Sequence, residues 1–108
     1  MHSKKKTKSE IVEQIYKHLQ LDLKDIRAVA DLFLQEVKDA LIDGKSVELR
    51  GFGTFEVRDR KGRAKARNPK TGEIVSVKDH SVVAFRAGKD LKSSVWDLND
   101  RKVAEKKD

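Results

Sequence analysis

The spacing of apolar side chains predicts an amphipathic helix near the start of the chain. Ile11, Ile15 and Leu19 recur every four residues, which places them on one helical face. Thr7, followed three residues later by Glu10, is a capping-box sequence. The helix should therefore begin after Thr7 and end near Leu19 or the residue that follows it.

A longer apolar stripe predicts a second helix. Asp22, with Asp25 three residues on, suits a helix start, and Gly44 supplies a left-handed stop. Leu32 and Leu34 widen the stripe beyond what one short partner helix could cover. Because so small a domain also buries little surface by itself, we expect an obligate dimer with a shared core. The members of the stripe at helical spacing are Ile26, Val29, Ala30, Phe33, Val37, Ala40 and Leu41.

Alternation with a period of two follows the second helix. Val47 and Leu49 alternate with polar residues, which is typical of a strand, and residues 51–53 form a Gly-Phe-Gly bend. Phe55 and Val57 continue as a second strand. The spacing of Phe52, Phe55 and Phe85 assigns these aromatic side chains to core packing rather than to stacking on bases.

A third strand and a third helix are predicted near the end of the chain. Residues 82–85 are a short apolar run, and Ala87-Gly88-Lys89 opens a helix whose apolar side carries Leu91, Val95 and Trp96. Helices and antiparallel strands in this order predict an α+β fold.

A strongly basic segment separates the second and third predicted strands of the core. Residues 58–70 hold seven bases and one acid. Lys61, Arg63, Lys65 and Arg67 alternate with glycine and alanine, so an extended strand would carry a row of cations on one side. The sequence from Asn68 to Gly72, with the chain's one proline at Pro69, brackets a reversal, and Ile74, Val75 and Val77 form a return strand. We predict a long basic hairpin, the arm, spanning about 58–80.

Charge narrows the possible partners. The net charge is +7, which favours a polyanion, nucleic acid first and an anionic membrane surface second. A basic alternation also protects some solvated edge strands, but that role does not require seven cations. We expect no membrane span, because no apolar run approaches ~18 residues.

Motifs for other chemistry are missing from the sequence. There is no cysteine, and the three histidines lack a second ligand at metal spacing. No nucleophile motif or complete phosphate-binding glycine loop is present. We therefore expect no enzyme activity, no cofactor, no metal and no small-molecule substrate.

Several spaced motifs together resemble one family. They are Gly51-Phe52, Phe55, Arg60, Arg63, Ala66-Arg67-Asn68-Pro69, Thr71 and the segment Phe85-Arg86-Ala87-Gly88-Lys89. The pattern is similar to the bacterial histone-like HU and integration host factor family, closer to HU, from about residue 7 to 96. Two departures stand out: Ala66 replaces the usual glycine, and Ala64 and Lys65 separate Arg63 from Ala66 where one residue is commoner. The extra residue predicts a bulge in the arm.

The resemblance implies an intertwined dimer with a helical base, a three-stranded antiparallel sheet and a long protruding β-hairpin arm per subunit. It implies that two arms wrap the minor groove of double-stranded DNA and that a proline at each tip wedges between base pairs and bends the duplex. The expected partners are a second copy of the chain and DNA, especially bent, nicked or gapped DNA, in the bacterial nucleoid within the cytoplasm.

The resemblance also assigns roles to residues. Pro69 would intercalate, although a plain turn-forming role is the alternative. The flank of the dimer would contact DNA through Lys8, Arg86, Gly88 and Lys89, which could otherwise be ordinary surface positions. The arm would contact DNA through Arg58, Arg60, Lys61, Arg63, Lys65, Arg67, Asn68 and Lys70.

Residues 1–6 are expected to be a disordered basic tail, residues 7–96 a single domain, and residues 97–108 a polar tail. Two other functions stay open. One is a sequence-preferring DNA-bending factor like integration host factor. The other, more remote, is a structural RNA-binding protein, although A-form grooves suit a minor-groove wedge badly.

Overall fold

The computed structural model describes residues 4–100. It forms two compact units that divide after Asp39, near the end of the second helix. The predicted tails lie largely outside the described residues. In chain order the elements are α1 Lys8–His18, α2 Leu23–Ile42, β1 Val47–Leu49, β2 Gly53–Arg60, β3 Arg63–Arg67, β4 Ile74–Val77, β5 His80–Ala87 and α3 Lys89–Val95.

The first helix begins at its predicted capping box. The Glu10 amide donates to Thr7 Oγ1 at 3.3 Å, and the Thr7 amide donates to Glu10 Oε1 at 3.4 Å. The helix ends at His18, slightly earlier than predicted, and α2 begins directly after Asp22. Val12 and Ile26, one on each helix, are the buried apolar side chains among the described residues.

Gly44 ends α2 as predicted. Its φ of 81° is left-handed, a conformation that glycine adopts without steric cost. The Gly44 amide donates to the Leu41 carbonyl and the Lys45 amide to the Ala40 carbonyl, both at 2.9 Å. These two bonds satisfy carbonyls that the helix end would otherwise leave free.

A three-stranded antiparallel sheet follows, in the order β1-β2-β5. β2 and β5 pair over eight residues, from Gly53 opposite Ala87 to Arg60 opposite His80. Both strands are longer than their apolar cores predicted, because polar residues at the arm end continue the ladder. The sheet has one apolar face, on which the rings of Phe55 and Phe85 lie 4.8 Å apart. Phe85 is still 41% exposed in one chain, so its predicted place in a core stays a prediction.

The outer part of the arm is a separate two-stranded sheet of β3 and β4, which confirms a hairpin in this segment. Arg58 and Arg60, predicted as part of the arm, lie instead in β2 and pair with β5. At its tip the Asn68 amide donates to the Glu73 carbonyl and the Gly72 amide donates to the Asn68 carbonyl, both at 2.7 Å. Gly72 has a φ of 76°, so the reversal uses a conformation that suits glycine. α3 then starts after Gly88, as the sequence predicted.

Candidate nucleic-acid interface

The arm contains the predicted bulge. Arg63 pairs with Val77 and Ala66 with Val75, so Ala64 and Lys65 together stand opposite Ser76. Two residues facing one define a β-bulge. The extra residue is therefore absorbed inside β3, and regular pairing resumes between Arg67 and Ile74 toward the tip.

The bulge overturns one prediction about the arm. Side chains directly opposite each other in an antiparallel pair share a face, so Arg63 lies on the face of Val77 and Arg67 on the face of Ile74. Positions 74 and 77 are three apart on β4, and they therefore point to opposite faces. The predicted single row of cations is wrong, because the inserted residue resets the alternation. The arm instead distributes its cations over both faces of the ribbon.

Most arm cations have no acidic partner within the part of the chain that the structure describes. Within residues 4–100, the ion pairs involve Lys8, Lys45, Arg58 and Arg86. The cations without an ion pair in that range include Arg60, Lys61, Arg63, Lys65, Arg67 and Lys70, and all of these are exposed. A cluster of unneutralised cations on a narrow ribbon creates a strong positive field. It can accept phosphates without first breaking an ion pair.

The tip presents Pro69 to solvent on a well-defined turn. Pro69 is exposed, whereas Asn68 is half-buried. The Asn68 Oδ1 accepts a hydrogen bond from the Lys70 amide at 2.9 Å, and Thr71 Oγ1 accepts one from the Glu73 amide at 3.3 Å. Asn68, predicted as a DNA contact, thus also shapes the turn that carries the proline.

The sheet carries a polar face beside the arm. Glu56, Arg58 and Arg86 share this face, because residues two apart on a strand point the same way and Thr54 pairs with Arg86. Glu56 Oε2 accepts from Arg58 at 3.1 Å, and Glu56 Oε1 lies 3.0 Å from an Arg86 guanidinium nitrogen. Two predicted DNA-contacting arginines are therefore brought together around one carboxylate.

The predicted flank residues have different surroundings. Lys8 Nζ lies 2.6 Å from Asp31 Oδ1, so a phosphate would compete with that carboxylate for Lys8. Lys89 is exposed on the first turn of α3. The Gly88 amide donates to the Phe52 carbonyl at 2.8 Å. This amide is thus engaged with the bend at Phe52, and a contact between Gly88 and DNA stays a prediction.

The sequence analysis did not predict the acidic partners of the candidate DNA contacts. These are Asp31, which pairs with Lys8, and Glu56, which pairs with Arg58 and Arg86. The position of Glu56 two residues before Arg58 in a predicted strand was an available signal. Asp31 gave no such signal, because it lies 23 residues from Lys8 and meets it only when α1 and α2 pack.

Other kinds of site find no support in residues 4–100. No group of three or more histidine or acidic side chains there could hold a metal ion. None of the helices in that range is long and apolar enough to cross a membrane.

Comparison with known proteins identifies the family. The profile of the family described as bacterial DNA-binding protein matches residues 6–96. The chain belongs to this family, which comprises HU and integration host factor. It is a family of architectural DNA-binding proteins and not of enzymes.

Among curated proteins, the chain is 44% identical over 89 residues to integration host factor subunit alpha of Alteromonas mediterranea, covering 82% of this chain and 89% of that protein. It is 40% identical over 94 residues to the same subunit of Methylococcus capsulatus, which covers 87% of this chain and 84% of that protein.

Among solved structures, the chain resembles an HU from Anabaena in a cocrystal with DNA, with 37% identity and a TM-score of 0.74, covering 83% of this chain and 97% of that one. A point mutant of HU from Thermotoga maritima has 27% identity and a TM-score of 0.61, and the match covers 83% of this chain and 99% of that one. Relatives of both kinds are found, so the closer likeness to HU stays a prediction.

Proposed function

We propose that the protein is a homodimeric architectural factor that binds double-stranded DNA with little sequence dependence and bends it. The observation that carries the proposal is the arm: a two-stranded ribbon with unpaired cations on both faces and an exposed proline at its tip. A ribbon with cations on both faces suits a groove, because a groove has a phosphate backbone on each wall. The HU–DNA cocrystal among the similar structures supports DNA as the partner.

Bending would come from Pro69. Proline is rigid and has no amide donor, so little polarity is desolvated when it enters a base step. Unstacking a step costs a few kcal/mol. The additional phosphate contacts that a bent duplex permits offset this cost.

Low sequence dependence follows from the type of contact. Arginine and lysine bound to phosphates position a protein but carry no sequence information. The minor groove separates A·T from G·C pairs and little more. A protein of this kind would act in the bacterial nucleoid, on many sites along the chromosome.

The homodimer is supported by the apolar surface that one chain leaves uncovered. Val29, Leu32 and Phe33 on α2 are 67%, 65% and 52% exposed. A groove of about 530 Å³ between α1 and α2 is lined mainly by apolar side chains. On the sheet, Val83 and Phe85 are 60% and 41% exposed. Surfaces of this extent mark protein contacts, and a second copy would cover them by symmetry.

A second candidate is a sequence-preferring bending factor, favoured by the likeness to integration host factor subunits. It would use the same arm but recognise deformable steps at one site. Binding to several duplex sequences at one salt concentration separates the two candidates.

A direct test replaces one unpaired cation of the arm. Arg63→Ala should weaken binding by a similar factor on unrelated duplexes and lower the salt slope by ~1 per subunit, ~2 for the homodimer, because each arm loses one phosphate contact. Lys17→Ala, which removes an exposed charge from the last turn of α1, is the matched control. It should change neither the affinity nor the salt slope. A loss confined to one duplex sequence would contradict the proposed phosphate role.

A further inference from the structure

The arm joins the sheet at a narrow crossing of two backbone segments. β2 ends at Arg60 and β5 begins at His80, and the arm ladder begins at Arg63 paired with Val77. Only residues 61–62 and 78–79 link the two ladders. The direction of the arm therefore depends on what holds these four residues together.

Gly62 and Asp79 are joined by a hydrogen bond across this crossing. The Gly62 amide donates to Asp79 Oδ1 at 2.7 Å, across 17 residues of sequence. A Cβ atom at Gly62 would overlap the Val77 carbonyl oxygen and the Lys78 carbonyl carbon, and it would lie 2.7 Å from the Asp79 nitrogen. All three are backbone atoms, so no side-chain rotation could relieve the overlap.

Neighbouring bonds reinforce this crossing. Ser81 Oγ donates to Asp59 Oδ1 at 3.0 Å. These two residues pair next to the arm end of the β2–β5 ladder. His80 Nδ1 lies 2.8 Å from the Lys78 carbonyl oxygen. Asp79 is nevertheless the only one of these acceptors that bonds directly to the strand entering the arm.

We propose that Asp79 is a positioning residue for DNA bending: its bond to the Gly62 amide, here called the arm latch, fixes the direction of the arm relative to the sheet. The inference rests on the proposed function, because it assumes that the arm contacts DNA. A latched arm meets the duplex in one orientation. The entropic cost of ordering the arm on binding is therefore smaller. Asp79 needs no contact with DNA for this role.

The experiment starts with the free protein, and its readouts do not depend on DNA. Nitrogen-15 relaxation and amide exchange are measured in the full chain for wild type, Asp79→Ala and Asp79→Asn. Asp79→Ala should speed exchange of the Gly62 amide by about tenfold and lower the order parameters of β3 and β4, while β2 and β5 keep theirs. Asp79→Asn retains an oxygen acceptor and should behave as wild type.

Binding is then measured for the same variants on nicked and intact duplexes. Asp79→Ala should lose several-fold of the preference for nicked DNA. Asp43→Ala removes an equal charge from the turn after α2, where Asp43 pairs with Lys45, and should retain the preference. Gly62→Ala, which opens the crossing sterically, should reproduce the loss.

Unchanged arm order parameters in Asp79→Ala would overturn the latch, as would equal damage in Asp79→Asn and Asp79→Ala. If wild-type protein bound no duplex DNA, the proposed function would fail, while the relaxation data would still decide whether Asp79 orders the arm.

Discussion

The proposed bending of DNA depends on one side chain, that of Pro69. It is exposed, and the turn that carries it is held by the Asn68 side chain and by two backbone bonds. Those bonds do not involve the proline ring. The turn can therefore persist when the ring is replaced, and this separates wedging from folding.

Pro69→Ala should reduce the bend angle more than the affinity. Alanine leaves the arm cations in place but offers a smaller and less rigid group to the base step. Energy transfer between dyes at the two ends of a duplex measures the angle. An unchanged angle would remove Pro69 from the mechanism.

If Lys8 contacts DNA as predicted, Asp31 would compete with DNA for it. Its carboxylate lies 2.6 Å from Lys8 Nζ, and both side chains are about half exposed. Exposed pairs of this kind contribute about 0.2–1 kcal/mol to stability. Asp31 should therefore matter more for binding than for folding.

Asp31→Asn should strengthen duplex binding and steepen the salt dependence by about 0.9 for each subunit whose Lys8 gains a phosphate contact. In a Lys8→Met background the same substitution should have no effect on either quantity. Binding titrations at several salt concentrations check both expectations. An equal gain in the two backgrounds would show that Lys8 is not the residue released.

The local sequence predicts the structural roles of some residues but not of others. Thr7 and Glu10 predicted their own cap, and Gly44 predicted its own left-handed stop, because these signals depend on neighbours within a few positions. The ion pairs of Lys8 and Arg86 depend on elements that meet only in the folded chain. No local pattern at Lys8 contains that information.

At the scale of the element, the bulge determines which way the arm cations point. Comparing the spacing with the family's usual motif predicted its existence. The alternating pattern alone predicted one row of cations, which is wrong because strand periodicity holds only where pairing is uninterrupted. Strand lengths were underestimated for a related reason: β2 and β5 continue through polar residues that their ladder pairs.

Deletion of Ala64 should remove the bulge without removing a charge. Lys65 would then stand alone opposite Ser76, and the pairs on either side would be kept. We expect slower amide exchange in β3, because the ladder becomes continuous, and an unchanged salt slope.

Deletion of Lys65 is the matched control, since it also removes the bulge but takes one cation with it. Its salt slope should fall by ~1 per subunit, ~2 for the homodimer. If the two deletions changed the slope equally, Lys65 would not be a phosphate contact.

At the scale of the whole molecule, one chain leaves a large apolar area exposed. The sequence predicted this surplus, because the stripe on α2 is wider than one short helix can cover. It could not predict which groups of the proposed second copy would cover the stripe, since contacts between chains leave no local pattern in the sequence.

Phe33→Ala should weaken the dimer. Phe33 is 52% exposed in one chain, and truncation of a phenylalanine that becomes buried costs about 3–5 kcal/mol. Sedimentation equilibrium should show dissociation at higher protein concentration than for wild type. Thermal unfolding should become more dependent on concentration.

Glu36→Ala, at an exposed polar position of α2, is the control and should leave the association unchanged. A Phe33→Ala protein that sediments as wild type would exclude this face from the dimer contact.

We expect the protein to select DNA by how easily it bends rather than by its sequence. The most direct test is a competition at physiological salt between a nicked duplex and the intact duplex of the same sequence, repeated with an unrelated sequence. Nicked DNA bends at lower cost, so a strong preference for it on both sequences is the expected result. Tight binding to one intact sequence alone would contradict the claim and indicate a site-specific bending factor.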